Sequence, residues 1–317
     1  MTSGSSSNQG FRWRLAEDDG GQPRLFADEE LFDRHVGVGE YRGLEFLHVN
    51  AKQIINPVPA GSRMGFRFTI NPYRGCSHAC SYCFARPTHE YLNLDIGRDF
   101  ERKIVVKVNA VEKLRSELRA RTWNGDLIAM GTNTDPYQRA EGKYHLTRGI
   151  IEALGEAGNP FSILTKGTLI LRDVDVLTEA AARTEVRCAF SIGTLDEQVW
   201  KATEPGTPHP RRRVEAVRRL SEAGIHTGVL VAPLIPGWSD RPQQLVEVAR
   251  ACLEAGATSV TPVALHLRPG VKEHFLAFLD SCRPALAEEL RALYGQRAYL
   301  PPQEQDAITR PVREVFL

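Results

Sequence analysis

The sequence lacks the features that mark membrane and secreted proteins. No stretch approaches the ~18–20 consecutive apolar residues of a membrane span. The Ser- and Gly-rich start, residues 1–10, contains no apolar segment typical of a secretion signal. Six cysteines in 317 residues, three of them within eight positions, do not form the pattern of a disulfide framework. We therefore expect a cytoplasmic protein with no membrane partner.

The sequence also has little net charge. Its 40 Lys and Arg residues almost balance its 39 Asp and Glu residues, for a formal charge of +1, so no global attraction to nucleic acid or membranes is expected. The densest basic run lies on a predicted helix, where a solvated face is the ordinary interpretation. It consists of Arg211, Arg212, Arg213, Arg218 and Arg219.

The distribution of apolar residues divides the chain into four segments. Residues 1–25 are polar and predict a disordered N-terminus, and residues 26–64 predict an irregular N-terminal extension. Residues 65–295 form the core with a C-terminal helix, and residues 296–317 form a C-terminal tail. Within the core, short apolar, β-rich stretches predict six strands, at residues 66–71, 125–132, 160–167, 185–194, 225–233 and 258–267.

Helical patterns lie between most of these strands. Residues 145–157 and 241–255 are examples, and each is followed by a glycine, Gly158 or Gly256. Strands that alternate with helices of this length predict an α/β fold with a parallel sheet and right-handed crossovers. Six units are compatible with an open doubly wound sheet or with an incomplete barrel. In both folds, ligands bind at the carboxyl ends of the strands.

The first predicted strand is followed by a run of three cysteines, Gly75-Cys-Ser-His-Ala-Cys-Ser-Tyr-Cys-Phe84. Closed iron–sulfur clusters and structural zinc sites take four protein ligands, so three thiolates at C-x3-C-x2-C spacing indicate a cluster with one open iron. The alternative is a zinc ion held by the same cysteines together with His78 or His89. The other cysteines lie in apolar contexts and are expected in the core. They are Cys188, Cys252 and Cys282.

The cysteine run, with the aromatic Tyr82 before its third cysteine, resembles the signature of the radical S-adenosylmethionine (radical SAM) superfamily. Further segments are similar to its spore photoproduct lyase-like ("DNA repair photolyase") branch. They are Asn71-Pro-Tyr-Arg-Gly-Cys76, Gly131-Thr-Asn-Thr-Asp-Pro-Tyr-Gln138, Leu164-Thr-Lys-Gly167 and Glu204-Pro205 ahead of Pro210. The N-terminal extension and the His-Leu-Arg-Pro-Gly block at residues 266–270 look closest to an uncharacterised bacterial subgroup of that branch.

This resemblance implies a fold and a cofactor chemistry. The fold is a partial (β/α)6 barrel of the TIM type, and its six strands match the predicted number. The implied metal ligands are Cys76, Cys80 and Cys83, which hold a 4Fe-4S cluster whose open iron binds S-adenosylmethionine. An electron from a donor such as ferredoxin or flavodoxin cleaves this cofactor, and the resulting 5′-deoxyadenosyl radical abstracts hydrogen from the substrate.

The resemblance also implies cofactor-binding residues. Tyr82 and Phe84 flank the adenine, and Arg213 matches an arginine that approaches the methionine carboxylate in related members. The segment after the second strand corresponds to the glycine-rich motif that binds the methionine amino group. Its side chains offer acceptors for an ammonium: Thr132, Asn133 and Asp135. Ordinary structural interpretations compete with these roles, namely a turn at Asp135-Pro136 and a solvated helix face for Arg213.

Strand alternation assigns further side chains to the cavity. Ser191 faces the barrel lumen, at a position where this family often hydrogen-bonds the ribose of the cofactor. Lys166 reaches the carboxyl end of its strand, where a cation could meet a carboxylate or phosphate. In the last strand, alternation places Val263 against the helices and turns His266 and Arg268 into the cavity.

The substrate is not fixed by the resemblance. Nucleic acid is one candidate, through kinship with the branch, and radical modification of a small molecule or peptide is the alternative. A non-catalytic iron–sulfur or zinc regulator is the rival outside enzymes, although a regulator has no need of cofactor positions such as Ser191. Lyases of this branch place a hydrogen-donating cysteine between the cluster loop and the second strand. This chain has no cysteine between Cys83 and Cys188, so reversal of thymine dimers by that route is not expected.

Overall fold

The structure is a computed structural model that describes residues 13–14, 32–59, 61–62 and 64–316. The predicted disordered N-terminus, residues 1–25, lies outside these ranges apart from residues 13–14. Within them the strands are β1 (Trp13–Arg14), β2 (Asp33–Val36), β3 (Glu45–Ala51), β4 (Asn56–Pro57), β5 (Phe68–Ile70), β6 (Tyr73–Arg74), β7 (Lys103–Lys107), β8 (Ile128–Met130), β9 (Phe161–Thr165), β10 (Val186–Ser191), β11 (His226–Leu234) and β12 (Ser259–Ala264).

The helices of the same ranges are α1 (Arg98–Arg102), α2 (Ala110–Leu118), α3 (Arg139–Tyr144), α4 (Leu146–Glu156), α5 (Val174–Ala181), α6 (Glu197–Thr203), α7 (Pro210–Glu222), α8 (Pro242–Glu254), α9 (Val271–Cys282), α10 (Pro284–Tyr294) and α11 (Pro302–Arg313). Short 3-10 helices cover Gly39–Tyr41, Arg86–Leu92, Thr168–Asp173 and Glu314–Phe316. None of these helices has the length and apolar character needed to cross a bilayer.

Six parallel strands form the centre of the fold. Their order is β5-β8-β9-β10-β11-β12, with β4 added antiparallel beside β5. Each strand lies beside the next one in the chain, and the order never reverses. A doubly wound sheet requires such a reversal, so this sheet is the partial barrel and not the open alternative. All six predicted strands are therefore confirmed, most of them shorter than expected.

The core lies between this sheet and its helices. In β10 the side chains of Val186, Cys188 and Phe190 are buried, whereas Arg187 between them is exposed. These apolar side chains belong to one large cluster with residues of α4 and α8, including Cys252. Cys188 and Cys252 are thus core residues as expected. Cys282 is exposed instead, because it is the last residue of α9.

A second sheet was not predicted. It contains β1, β2, β3, β7 and β6, and β3 lies within the segment that was expected to be irregular. That expectation is wrong for residues 45–51, where Phe46, Leu47 and Val49 are buried. β3 pairs with β2, which precedes it closely, and with β7, more than 50 residues later in the chain. Local patterning gives little sign of the pairing with β7. β7 also pairs with β6, which ends directly before Gly75 and the cysteine run.

Three helices follow the barrel. α9 and α10 pack against each other, and α11 packs on β12 and α8. The segment named as a C-terminal tail therefore includes an ordered helix, whose Ile308 and Val312 are buried.

Candidate active site

The cysteine loop is fixed from several sides by hydrogen bonds to distant elements. The Cys76 N–H donates to Phe100 O at 2.9 Å, and the Ser81 N–H donates to Thr203 O at 2.9 Å. The side chain of Gln138 accepts from the Ser77 N–H and donates to Gly75 O, both at 2.9 Å. The loop is thus held in place by protein contacts alone.

Gly75 and Arg86 explain how the loop turns so tightly. Gly75 has φ +81°, and a Cβ there would lie 2.8 Å from His89 Cε1 and 2.9 Å from Phe100 O, so only glycine fits. The guanidinium of Arg86 is fully buried and donates to Cys80 O at 2.9 Å and to Glu101 at 2.6 Å. The loop is therefore wrapped around a buried cation.

The three cysteines line a single cavity of ≈ 240 Å³. All are free thiols; Cys76 and Cys80 are buried, and Cys83 is partly exposed. Burial, followed by the nearby Asp135 carboxylate, raises the pKa of Cys76 well above its usual value. Burial also raises the pKa of Cys83, and it raises that of Cys80 to about 12. Such thiols become thiolates when a cation binds them, so this donor set fits a metal centre.

The spacing of the sulfurs separates a cluster from a single ion. Among the described residues, one group of three Cys, His, Asp or Glu donors lies entirely within 4.8 Å, and it does not include the cysteines. At least two of the three sulfurs are therefore farther apart than that. Thiolates on one zinc, with bonds of about 2.3 Å, lie about 3.8 Å apart. A cubane instead offers each thiolate its own iron, so the wider spacing fits a cluster.

Of the two histidines of the zinc alternative, His78 lines the cavity with the cysteines and His89 does not. His78 Nδ1 lies 3.2 Å from Asp135 Oδ2. His89 is fully buried beneath the loop, with Nε2 3.0 Å from Lys103 O and its ring edge-on to Phe100. His89 is therefore excluded as a ligand beside the cysteines, whereas His78 lies beside them with its Nδ1 facing the Asp135 carboxylate.

The cavity brings together eight of the nine predicted cofactor-binding residues. The eight that line it are Tyr82, Phe84, Thr132, Asn133, Asp135, Lys166, Ser191 and His266. They come from the cysteine loop and from the carboxyl ends of β8, β9 and β10 or from the segment after β12, as the strand arrangement predicts. The ninth, Arg213, does not line the cavity.

Arg213 is held one layer behind the cavity. Its guanidinium is 1% exposed and donates to Pro208 O at 2.9 Å, to Ser191 O at 3.0 Å and to the Glu204 carboxylate. These contacts occupy the guanidinium that was expected to meet the methionine carboxylate of the cofactor. Arg213 therefore supports the end of β10 and does not reach into the cavity.

Glu204 is the centre of this buried layer, and sequence reasoning assigned it no role. Its carboxylate accepts from the Tyr82 hydroxyl and from Arg213, and it lies 3.7 Å from Lys166 Nζ. Burial alone would raise the pKa of Glu204, but the charges of Arg213 and Lys166 outweigh burial and hold that pKa at about 2. The Glu204-Pro205 pair was a sequence signal for this residue, although it did not reveal that Glu204 contacts Tyr82, Arg213 and Lys166.

Lys166 is the cation that faces the cavity. Its Nζ donates to Ser191 Oγ at 2.5 Å and lies 5.7 Å from the Tyr82 ring centroid. Ser191 Oγ in turn donates to Ala232 O at 2.9 Å. Glu204 thus partners a cation that still reaches the cavity, where it can meet an anionic ligand.

Asp135, which follows β8, fixes the end of β9 through hydrogen bonds. It accepts from the Thr165 hydroxyl at 2.6 Å and from the Lys166 N–H at 2.7 Å. Burial would raise the pKa of Asp135, but His78 and these donors hold it at about 2. The carboxylate therefore ties the loop after β8 to the end of β9, as well as lining the cavity.

The last strand keeps its alternation, since Thr261 and Val263 are exposed and Val260 is buried, but the predicted faces are exchanged. Val263 is 40% exposed and lines the cavity, so its assignment to the helix side is wrong. Arg268 is not among the lining residues. β12 ends at Ala264, and beyond that residue the period of two no longer applies. His266 does line the cavity, and its ring stacks on the exposed Tyr299 with centroids 4.2 Å apart.

Comparison with known proteins gives a family match and named relatives. Residues 70–252 match the family model described as Radical SAM superfamily. An uncharacterized protein of Mycobacterium tuberculosis is 43% identical over 295 residues, covering 93% of this chain and 86% of the relative. Spore photoproduct lyase of Bacillus subtilis is 28% identical over 202 residues, covering 61% of this chain and 53% of the lyase. The solved structure of spore photoproduct lyase complexed with dinucleoside spore photoproduct shares the fold, with a TM-score of 0.64, 18% identity, and coverage of 86% of this chain and 78% of that chain.

Proposed function

Because this chain belongs to the Radical SAM superfamily, we propose that Cys76, Cys80 and Cys83 hold a 4Fe-4S cluster and that the adjoining cavity binds S-adenosylmethionine. The observation that carries this proposal is the convergence of three thiols and eight predicted cofactor-binding side chains on one cavity. When bound, the cluster and its cofactor supply a 5′-deoxyadenosyl radical that abstracts hydrogen from the substrate.

The chain's own residues then bind and orient the cofactor. The acceptors Thr132 and Asn133 suit its ammonium group, and the Lys166 ammonium suits its carboxylate. Ser191 is the proposed partner of the ribose, and the rings of Tyr82 and Phe84 are proposed to flank the adenine. The buried hydrogen bond from Tyr82 to Glu204 restricts the tyrosine ring before any ligand arrives.

Anaerobic reconstitution tests the cofactor assignment. With iron, sulfide and dithionite, we expect about four irons per chain and formation of 5′-deoxyadenosine after S-adenosylmethionine is added. A ferredoxin or flavodoxin of the cytoplasm is the proposed electron donor in the cell. A protein that takes up zinc in place of iron, or that holds four irons and never forms 5′-deoxyadenosine, would contradict the assignment.

For the substrate we propose nucleic acid, acted on by a lyase-type reaction. Support comes from the similarity to spore photoproduct lyase and from the exposed ring of Tyr299, on which a base can stack. Tyr299 lies outside the cavity, against the ring of His266, which lines it. The test compares 5′-deoxyadenosine formation with and without damaged and undamaged oligonucleotides. We expect an oligonucleotide to stimulate it. Stimulation by small metabolites or peptides alone would favour the other substrate class.

A further inference from the structure

We propose that Asp33, His35 and His48 bind a divalent transition-metal ion of the zinc type on the second sheet. None of the three lines the cysteine cavity. Their donor atoms all lie within 4.8 Å of one another, and the site is independent of the proposed cluster.

The sheet register places the three side chains on one face. β2 pairs antiparallel with β3, and Asp33 lies directly opposite His48. His35 is two residues beyond Asp33, so the two side chains point to the same side of the strand. Residues opposite or diagonal across such a pair are within reach of each other. The backbone alone therefore brings two imidazoles and a carboxylate together.

The distances suit one ion. Asp33 Oδ2 lies 2.9 Å from His35 Nε2 and 3.7 Å from His48 Nδ1. Zinc binds histidine nitrogen and carboxylate oxygen at about 2.0–2.2 Å, so its tetrahedral ligands lie about 3.4 Å apart. The observed separations bracket that value, and small side-chain rotations are enough to enclose an ion.

The imidazoles are already arranged as ligands. The His35 and His48 rings are stacked with centroids 4.0 Å apart. His48 Nε2 lies 2.7 Å from the Tyr144 hydroxyl on α3. This contact fixes the ring and leaves Nδ1 facing Asp33. Metal-binding histidines are usually oriented by such a bond at their other nitrogen.

The donor set also limits which ion can bind. Two nitrogens and one oxygen suit zinc and similar transition ions, whereas Mg²⁺ and Ca²⁺ prefer oxygen ligands. Three protein ligands leave a further coordination position open. The bound ion would join β2, which pairs with β3, to α3 through His48 and Tyr144. Its proposed role is to clamp the N-terminal part of the chain onto the barrel domain.

Calorimetry with Zn²⁺ tests the site on the full chain after cluster reconstitution and removal of free metal with a chelating resin. We expect one zinc per chain in addition to the cluster iron. His35→Ala, His48→Ala and Asp33→Asn should weaken binding beyond detection or by at least about 100-fold, and Tyr144→Phe by about 10- to 100-fold. His226→Ala, which removes an exposed histidine of β11, is the matched control and should bind as wild type does.

Two outcomes would overturn the proposal. One is the absence of saturable zinc binding, and the other is binding that Asp33→Asn and both histidine variants leave unchanged. Asp33 is exposed, so its amide variant should fold even if a histidine variant does not. Zinc X-ray absorption on the wild-type protein gives a second measurement. We expect nitrogen and oxygen ligands only, and sulfur ligands would place the ion at the cysteines instead.

Discussion

Replacing Glu204 with glutamine is the sharpest test of the buried layer behind the cavity. The substitution keeps the size of the side chain and removes its charge. In the wild-type protein that charge lies against Arg213 and Tyr82 and 3.7 Å from Lys166. Because Arg213 is 1% exposed, the variant leaves a guanidinium without its counter-ion in a place that water does not reach.

The loss in the free energy of unfolding that we expect for Glu204→Gln can be estimated in two ways. Removing one partner of a buried ion pair typically costs about 3–5 kcal/mol. The pKa of Glu204 falls from 4.5 in its reference state to about 2 in the fold, which corresponds to about 3 kcal/mol at neutral pH. We therefore expect Glu204→Gln to lower the free energy of unfolding by about 3 kcal/mol, a large share of the ~5–15 kcal/mol of a typical protein.

The pH dependence follows from the direction of this shift. A carboxyl group whose pKa is depressed in the fold contributes its full stability above its unfolded value of 4.5. The contribution is lost as the pH falls from there toward about 2. The variant lacks this contribution, so the difference between the two proteins should shrink in acid. Both should still lose stability there, since Asp135 also has a pKa of about 2.

Urea unfolding of chains purified without iron measures these differences, at pH 7 and at pH 3. Glu247→Gln is the matched control, because that residue forms an exposed ion pair with Arg211 and should change stability by less than about 0.5 kcal/mol. A Glu204→Gln protein within 0.5 kcal/mol of wild type at pH 7 would refute the reasoning. A stability difference that persists unchanged at pH 3 would also refute it.

Two further predictions concern the cavity, and each has a control variant. Cys83→Ala should lower the iron content of reconstituted protein below about four per chain and abolish 5′-deoxyadenosine formation. Cys188→Ala, a core substitution in β10, should retain both, and equal loss in the two variants would contradict the ligand assignment. Lys166→Met should raise the dissociation constant for S-adenosylmethionine about 10- to 100-fold, because that is the loss of affinity expected when a hydrogen bond between charged groups is removed. Lys201→Met, on an exposed ion pair, should leave binding unchanged, and equal affinities in equilibrium dialysis would refute this role of Lys166.

Short-range patterns predicted the elements that carry the cofactor positions. The alternation of apolar residues predicted the six strands that the structure contains, and the cysteine spacing predicted that three thiols lie together, as they do along one cavity. Lys166 and Ser191 follow from parity along β9 and β10, where regular strand geometry continues to the carboxyl end. In β12 the alternation also holds, but the face assigned to Val263 was wrong, because Val263 shares the exposed side of the strand with Thr261.

Short-range sequence patterns could not predict contacts between segments that are distant in the chain. Glu204 binds Tyr82, which is 122 positions away in the chain, and neither residue type indicates the other. Arg213 was assigned to the cavity because a charged fork suits a carboxylate, yet a buried protein carboxylate already occupies it. The second sheet was not predicted for the same reason, because β3 pairs with β7, which lies far along the chain.

The central claim is that three protein sulfurs hold a cluster whose remaining iron is open to S-adenosylmethionine. Electron paramagnetic resonance of the reduced, reconstituted protein tests it most directly, with spectra recorded before and after the cofactor is added. We expect a 4Fe-4S signal that changes on addition, because the cofactor is proposed to bind the open iron. A signal that stays the same in saturating S-adenosylmethionine would mean that no open iron is accessible, and the proposed cofactor site would be wrong.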